Sequence, residues 1–115
     1  LELRDDRLTS KGISFIAEAL RCNSTLVRLD LRANDLCDQS IALLMDVLSV
    51  ERTNLESLNL SDNRITRVGG TAVGKMLEIN DHLTHLWLEA NRIDDRGVEV
   101  ILTALEKSNH TLEQL

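Results

Sequence analysis

The 115-residue chain has no proline and no tyrosine, a single phenylalanine, a single tryptophan and two cysteines. With so few aromatics, leucine and smaller aliphatics must fill any core, which suggests regular stacked elements and not an irregular globule. The hydrophobic share of 43% is enough for such a core, and the length suits one domain. Cys22 and Cys37 make no disulfide framework. They read as reduced thiols, Cys22 near a helix end and Cys37 at the start of the next loop. No apolar run reaches the roughly 18 residues that a membrane span needs, and no charged-then-apolar leader opens the chain. The net charge is −6 and the basic residues are scattered, so the basic stripe of a nucleic-acid surface is missing. The expectations are an intracellular, cytoplasmic chain with neither membrane nor nucleic acid as partner.

What is present is repetition. "LVRLDLRANDL" from Leu26 returns as "LESLNLSDNRI" from Leu55 and as "LTHLWLEANRI" from Leu83. A clipped copy, "LELRDDRL", opens the chain, and "LEQL" closes it. Leu1, Leu29, Leu58, Leu86 and Leu115 are equivalent, at spacings of 28, 29, 28 and 29 residues. The units divide as 1–25, 26–54, 55–82 and 83–111, with 112–115 starting a fifth. Each L-x-L stretch alternates as a half-buried strand does. Counting from Gly12, Ser40, Gly69 and Gly97, apolar residues recur at offsets 3, 4, 7 and 8. Phe15, Leu43, Ala72 and Val100 supply offset 3, in a stripe that predicts an amphipathic helix. Each unit is therefore strand, turn, helix and return loop. Three glycosylation triplets begin at Asn23, Asn59 and Asn109, at repeat positions that ask for Asn and for Ser or Thr on other grounds.

The pattern L-x-x-L-x-L-x-x-N-x-[LI]-x-x-x-G followed by a helix resembles the leucine-rich repeat. The 28/29 alternation is similar to that of the ribonuclease-inhibitor-like subclass. The resemblance spans the whole chain and implies an α/β fold, a right-handed solenoid with a concave parallel sheet and convex helices. Intracellular nucleotide-binding immune receptors, tropomodulins and Ran GTPase activators share this repeat, so the scaffold alone does not name a partner. The "NSTL" and "NHTL" lead-ins look most like the immune receptors and tropomodulins. Neither end carries a polar capping unit. The expectation is an excerpt of a longer array, or part of an assembly, with end-to-end self-association through Leu1, Leu3 and Leu115 as a hazard.

Asn34, Asn63 and Asn91 stand where the chain leaves each strand, placed to bond buried turn backbone as a structural ladder. Asp6 holds that position in the first unit, and a carboxylate has no proton to donate. The alternate strand residues face the concave side. Glu2, Asp30, Asn59 and Trp87 form the middle column, flanked by Arg28, Ser57, His85 and Gln114 and by Arg4, Arg32, Ser61 and Glu89. Arg7, Arg64 and Arg92 form a further column. Partner contacts are expected from Trp87, His85, Glu89, Asn59, Ser57, Ser61, Asp30, Arg28 and Arg32, because Trp and Arg dominate interface energies. The bland alternatives are an indole that merely covers the sheet and charges that are merely solvated.

Catalytic patterns are missing. His82 and His85 lack a cysteine or carboxylate to complete a zinc set. No G-x-S-x-G, phosphate loop or Cys–His arrangement exists, so neither catalysis nor a cofactor is expected. The reading is a non-catalytic scaffold for a protein partner. The alternatives are a GTPase activator of the Ran-activator type and an architectural spacer in a larger assembly.

Overall fold

The computed structural model describes residues 1–3, 8–50, 53–113 and 115; Arg4, Asp6, Arg7 and Gln114 lie outside them. Three strands, β1 (Arg28–Asp30), β2 (Ser57–Asn59) and β3 (His85–Trp87), form a parallel sheet in sequence order. Among the described residues, four helices of 13 residues alternate with them: α1 (Ser10–Cys22), α2 (Asp38–Val50), α3 (Arg67–Ile79) and α4 (Asp95–Lys107). The register places Arg28, Ser57 and His85 in one row and Asp30, Asn59 and Trp87 in another, with Glu2 bridging to Asp30. A helix is about 10 Å wide and strands lie about 4.8 Å apart, so one-sided stacking curves the sheet inward. Among the described residues, no helix is long and apolar enough to cross a membrane.

Leu29, Leu58 and Leu86, each at most 2% exposed, turn from the sheet into the core. They meet Ile41, Leu44, Leu48, Val73, Met76, Leu77, Ile101 and Ala104 from the helices. The helical stripe differs from the expected one. Phe15 and Leu43, at offset 3, are 67% and 42% exposed. Ile13 and Ala17 of α1, and Ile41 and Met45 of α2, are buried at offsets 1 and 5 instead. In α3 those offsets hold Gly70 and Gly74, which face α4: a Cβ on Gly74 would lie 2.5 Å from Val100 Cγ1 and 3.2 Å from the Val100 carbonyl. Each inner helix therefore packs sideways on two neighbours as well as down onto the sheet. The same offsets of α4 hold Val98 and Leu102, which are exposed.

The turns after the strands are held by asparagine. Asn63 is 6% exposed; its Nδ2 donates to the carbonyls of Leu60 and Ser61 in its own turn and of Leu31 in the preceding one. Its Oδ1 accepts from the backbone N–H of Asn34 (3.1 Å) and Leu36 (2.9 Å). Asn34 repeats this toward Leu3 and Leu8, and Asn91 toward Leu60 and Ile65. One side chain thus satisfies backbone groups in two successive turns, which would otherwise be buried and unpaired.

A second column stands where the helices end. Asn80 and Asn109, both buried, donate to Leu48 and Leu77 carbonyls one repeat back. Their Oδ1 atoms accept from Leu83 and Leu112 backbone N–H groups, which turns the chain into the next strand. Asn23 accepts from Leu26 in the same way.

Asn63→Ala should destabilise the chain by about 3 kcal/mol, since it strands several buried groups, whereas half-exposed Asn91→Ala should cost about 1 kcal/mol. Urea unfolding followed by circular dichroism measures both. Gly74→Ala should cost about 1–3 kcal/mol through the Val100 clash, in the same assay.

Candidate functional site

Strand alternation sends Leu29, Leu58 and Leu86 inward and leaves their neighbours on the concave face. Arg28 is exposed there, and Ser57, Asn59, His85 and Trp87 are half-buried. His85 and Trp87, two apart on β3, stack with ring centroids 5.7 Å apart and planes inclined by 26°. The His85 ring is anchored at Nδ1 by the Thr84 hydroxyl, 2.9 Å away. Two open hollows adjoin this pair. One, about 290 Å³, is bordered by Glu2, Arg28, Asp30, Asn59 and Trp87; the other, about 350 Å³, by Arg28, Glu56, Thr84, His85 and Trp87. Ser57 borders both.

The early acidic and basic columns offset each other. Arg32 pairs with Asp30 at 2.9 Å, and the Arg32 backbone N–H also donates to Asp30. Arg64 pairs with Asp35 at the rim, also at 2.9 Å. The exposed Arg64–Asp35 pair contributes about 0–1 kcal/mol, while Asp30 is more deeply covered. Glu89 is exposed beyond the end of β3. Ser61 departs from the expected open surface: it is 8% exposed. Alternation stops at Leu60, and the chain curls so that the Ser61 carbonyl accepts from Asn63 Nδ2 and Ala33 N–H.

His82 lies away from the stack, its Nε2 3.6 Å from Asp81. Among the described residues, no three His, Cys, Asp or Glu side chains gather as a metal site. Both cysteines are free. Cys37 does not start a loop as expected; it is the residue immediately before α2. The backbone N–H of Ser40 and then the Ser40 hydroxyl, with its oxygen 3.8 Å from the sulfur, lower the Cys37 thiol below its ordinary value.

Sequence reasoning also missed Asp38. Its Oδ1 accepts from the N–H groups of Thr66 (2.8 Å) and Gly69 (3.1 Å), capping α3 from the neighbouring repeat. Gly69 admits it, since a Cβ there would lie 2.6 Å from that oxygen. Asp94 caps its own helix through Gly97 N–H and pairs with Arg67; Arg67 first, then that N–H, holds its carboxyl below the usual range.

The family model described as "Leucine Rich repeats (2 copies)" matches residues 53–96. The chain is built of leucine-rich repeats. It is similar to "NACHT, LRR and PYD domains-containing protein 4C" of Mus musculus, 34% identical over 108 residues, which are 94% of this chain and 11% of that protein. It is likewise similar to "NACHT, LRR and PYD domains-containing protein 3" of Homo sapiens, 32% identical over 98 residues, or 85% of this chain and 10% of that one. The repeats thus span about a tenth of the length of these relatives. The solved structure "Leiomodin-1 Actin-Binding Site 2 (ABS2)" superimposes with a TM-score of 0.91 at 24% identity, covering all of this chain and 67% of that one. At that identity the likeness concerns the leucine-rich-repeat fold alone.

The pH profile of Cys37 alkylation by iodoacetamide, read by peptide mass spectrometry, should have a midpoint lower than that of an unperturbed cysteine in a reference peptide measured alongside. Ser40→Ala should move it upward while leaving the backbone bond in place.

Proposed function

We propose that this leucine-rich-repeat segment is a non-catalytic scaffold that holds a protein partner on its concave sheet, with Trp87 at the centre of the contact. The observation that carries the reading is the half-buried indole on the open side of β3, stacked on His85 and bordered by two hollows. None of the packing that builds the repeat needs a large side chain there, because the equivalent positions hold Glu2, Asp30 and Asn59. Large aromatics that keep part of their surface open, beside short polar groups, are where interface energy concentrates. The relatives support an intracellular setting, and the actin-binding segment of leiomodin-1 a protein ligand, each by similarity alone.

A second, architectural reading draws on the opposite edge. Val50 and Ile79, at equivalent helix ends, are 80% and 64% exposed and are placed to face a neighbour in a larger assembly.

Trp87→Ala should weaken a concave-face partner by about 2 kcal/mol or more, by isothermal titration calorimetry, while the thermal unfolding curve keeps its shape and cooperativity. Unchanged affinity removes Trp87 from the contact. A partner lost on Val50→Asp with Trp87 intact favours the architectural reading.

A further inference from the structure

The polar groups around Trp87 are lopsided in a way that specifies the chemistry of what they hold. Arg28, Ser57 and His85 form one row across the sheet, and Asp30, Asn59 and Trp87 the next. Between the long side chains of β1 and β3 stand only the short Ser57 and Asn59, which leaves a trough about two strand spacings, or about 10 Å, wide. The two hollows beside Trp87 are its halves, and they share Arg28, Ser57 and Trp87.

Several of its acceptors are already engaged. The Asp30 carboxylate takes Arg32, Asn59 Oδ1 takes the Ser61 N–H, and the Thr84 hydroxyl joins the Glu56 carbonyl and His85 Nδ1. Its donors are not. The Arg28 guanidinium, the Trp87 indole N–H, the Ser57 hydroxyl and Asn59 Nδ2 make no hydrogen bond or ion pair with the described residues. The Glu2 and Glu56 carboxylates, without a partner among the described residues, stand one in each hollow, and the open donors lie on the floor between them.

We propose that the trough recognises a single carboxylate side chain, presented by an extended segment of the protein partner and received between Arg28 and the Trp87 indole N–H. The inference rests on the concave-face reading and adds the chemistry of the occupant. A guanidinium and neutral N–H and O–H donors around one gap suit a carboxylate, whose two oxygens accept several bonds at once. The flanking Glu2 and Glu56 and the net charge of −6 oppose a polyanion, which selects an isolated acidic residue among neutral neighbours.

Trp87 is the only indole and the chain has no tyrosine, so its indole N–H resonance and its fluorescence report on this trough alone. The 115-residue chain is titrated with the peptide acetyl-Ala-Glu-Ala-amide and with its twin acetyl-Ala-Gln-Ala-amide. The glutamate peptide is expected to shift the indole resonance saturably, with an affinity about fivefold or more above the glutamine twin, as charge-assisted bonds exceed neutral ones. Arg28→Gln should erase that difference, and Glu56→Gln should enlarge it. Equal responses to both peptides, no response to either, or a preference that survives Arg28→Gln overturns the carboxylate assignment. Those outcomes leave the Trp87→Ala partner measurement untouched. Conversely, a carboxylate preference alongside an unchanged partner affinity in Trp87→Ala keeps the chemistry and removes the concave-face function.

Discussion

Everything in this fold depends on hydrogen-bonding the backbone where one repeat turns against the next. A parallel stack with a rise of about 4.8 Å presses each turn onto its neighbour, out of reach of water on most sides. Ala33, Asp62 and Ala90 adopt positive φ there, so the chain reverses sharply and cannot complete a regular ladder by itself. Asparagine meets the need because its amide offers two donors and an acceptor on a short stem. Asn34, Asn63 and Asn91 do this at the strand exits, and Asn80 and Asn109 at the helix exits. Once both ends of each unit are tied, helices and strands have little freedom left, and the leucines fill the space between them while the wider helices set the curvature.

The parts of this arrangement that were legible in the sequence recur with the 28/29 period and carry a strong chemical signature. L-x-L marks strands, and asparagine five residues after the central leucine marks the turn, as Leu29 and Asn34 do. The helical face was read less well because a solenoid helix has three buried directions. Gly70 and Gly74 sit at deeply packed positions where a hydrophobicity pattern shows nothing, while apolar Phe15 signals a core it does not join. Asp38 was invisible for a different reason. Its bonds reach 28 to 31 residues ahead to Thr66 and Gly69, and nothing in its own surroundings announces them. Ser61 lies two residues past the end of β2, where strand alternation no longer decides which way a side chain turns.

The same logic separates scaffold from surface. Leucines, asparagines, the α3 glycines and Asp38 are each tied to a neighbouring repeat, and changing any of them disturbs two units. Arg28, Ser57, His85 and Trp87 project from strands whose backbone is already paired, so repeats can differ there without altering the stack. This is how one leucine-rich-repeat framework serves unrelated partners. It also explains why similarity to the repeats of NACHT, LRR and PYD domains-containing proteins and of leiomodin-1 establishes the fold while the concave residues must be judged by their own chemistry.

Equilibrium unfolding of one multiple variant tests that separation most directly: Arg28→Thr, Ser57→Thr, His85→Thr and Trp87→Asn combined in a single chain. If the concave residues are independent of the scaffold, its unfolding free energy stays within about 1 kcal/mol of the parent, with the same denaturant dependence. A loss of several kcal/mol, or a broadened transition, would show that these side chains help hold the repeats together and contradict the division between framework and surface.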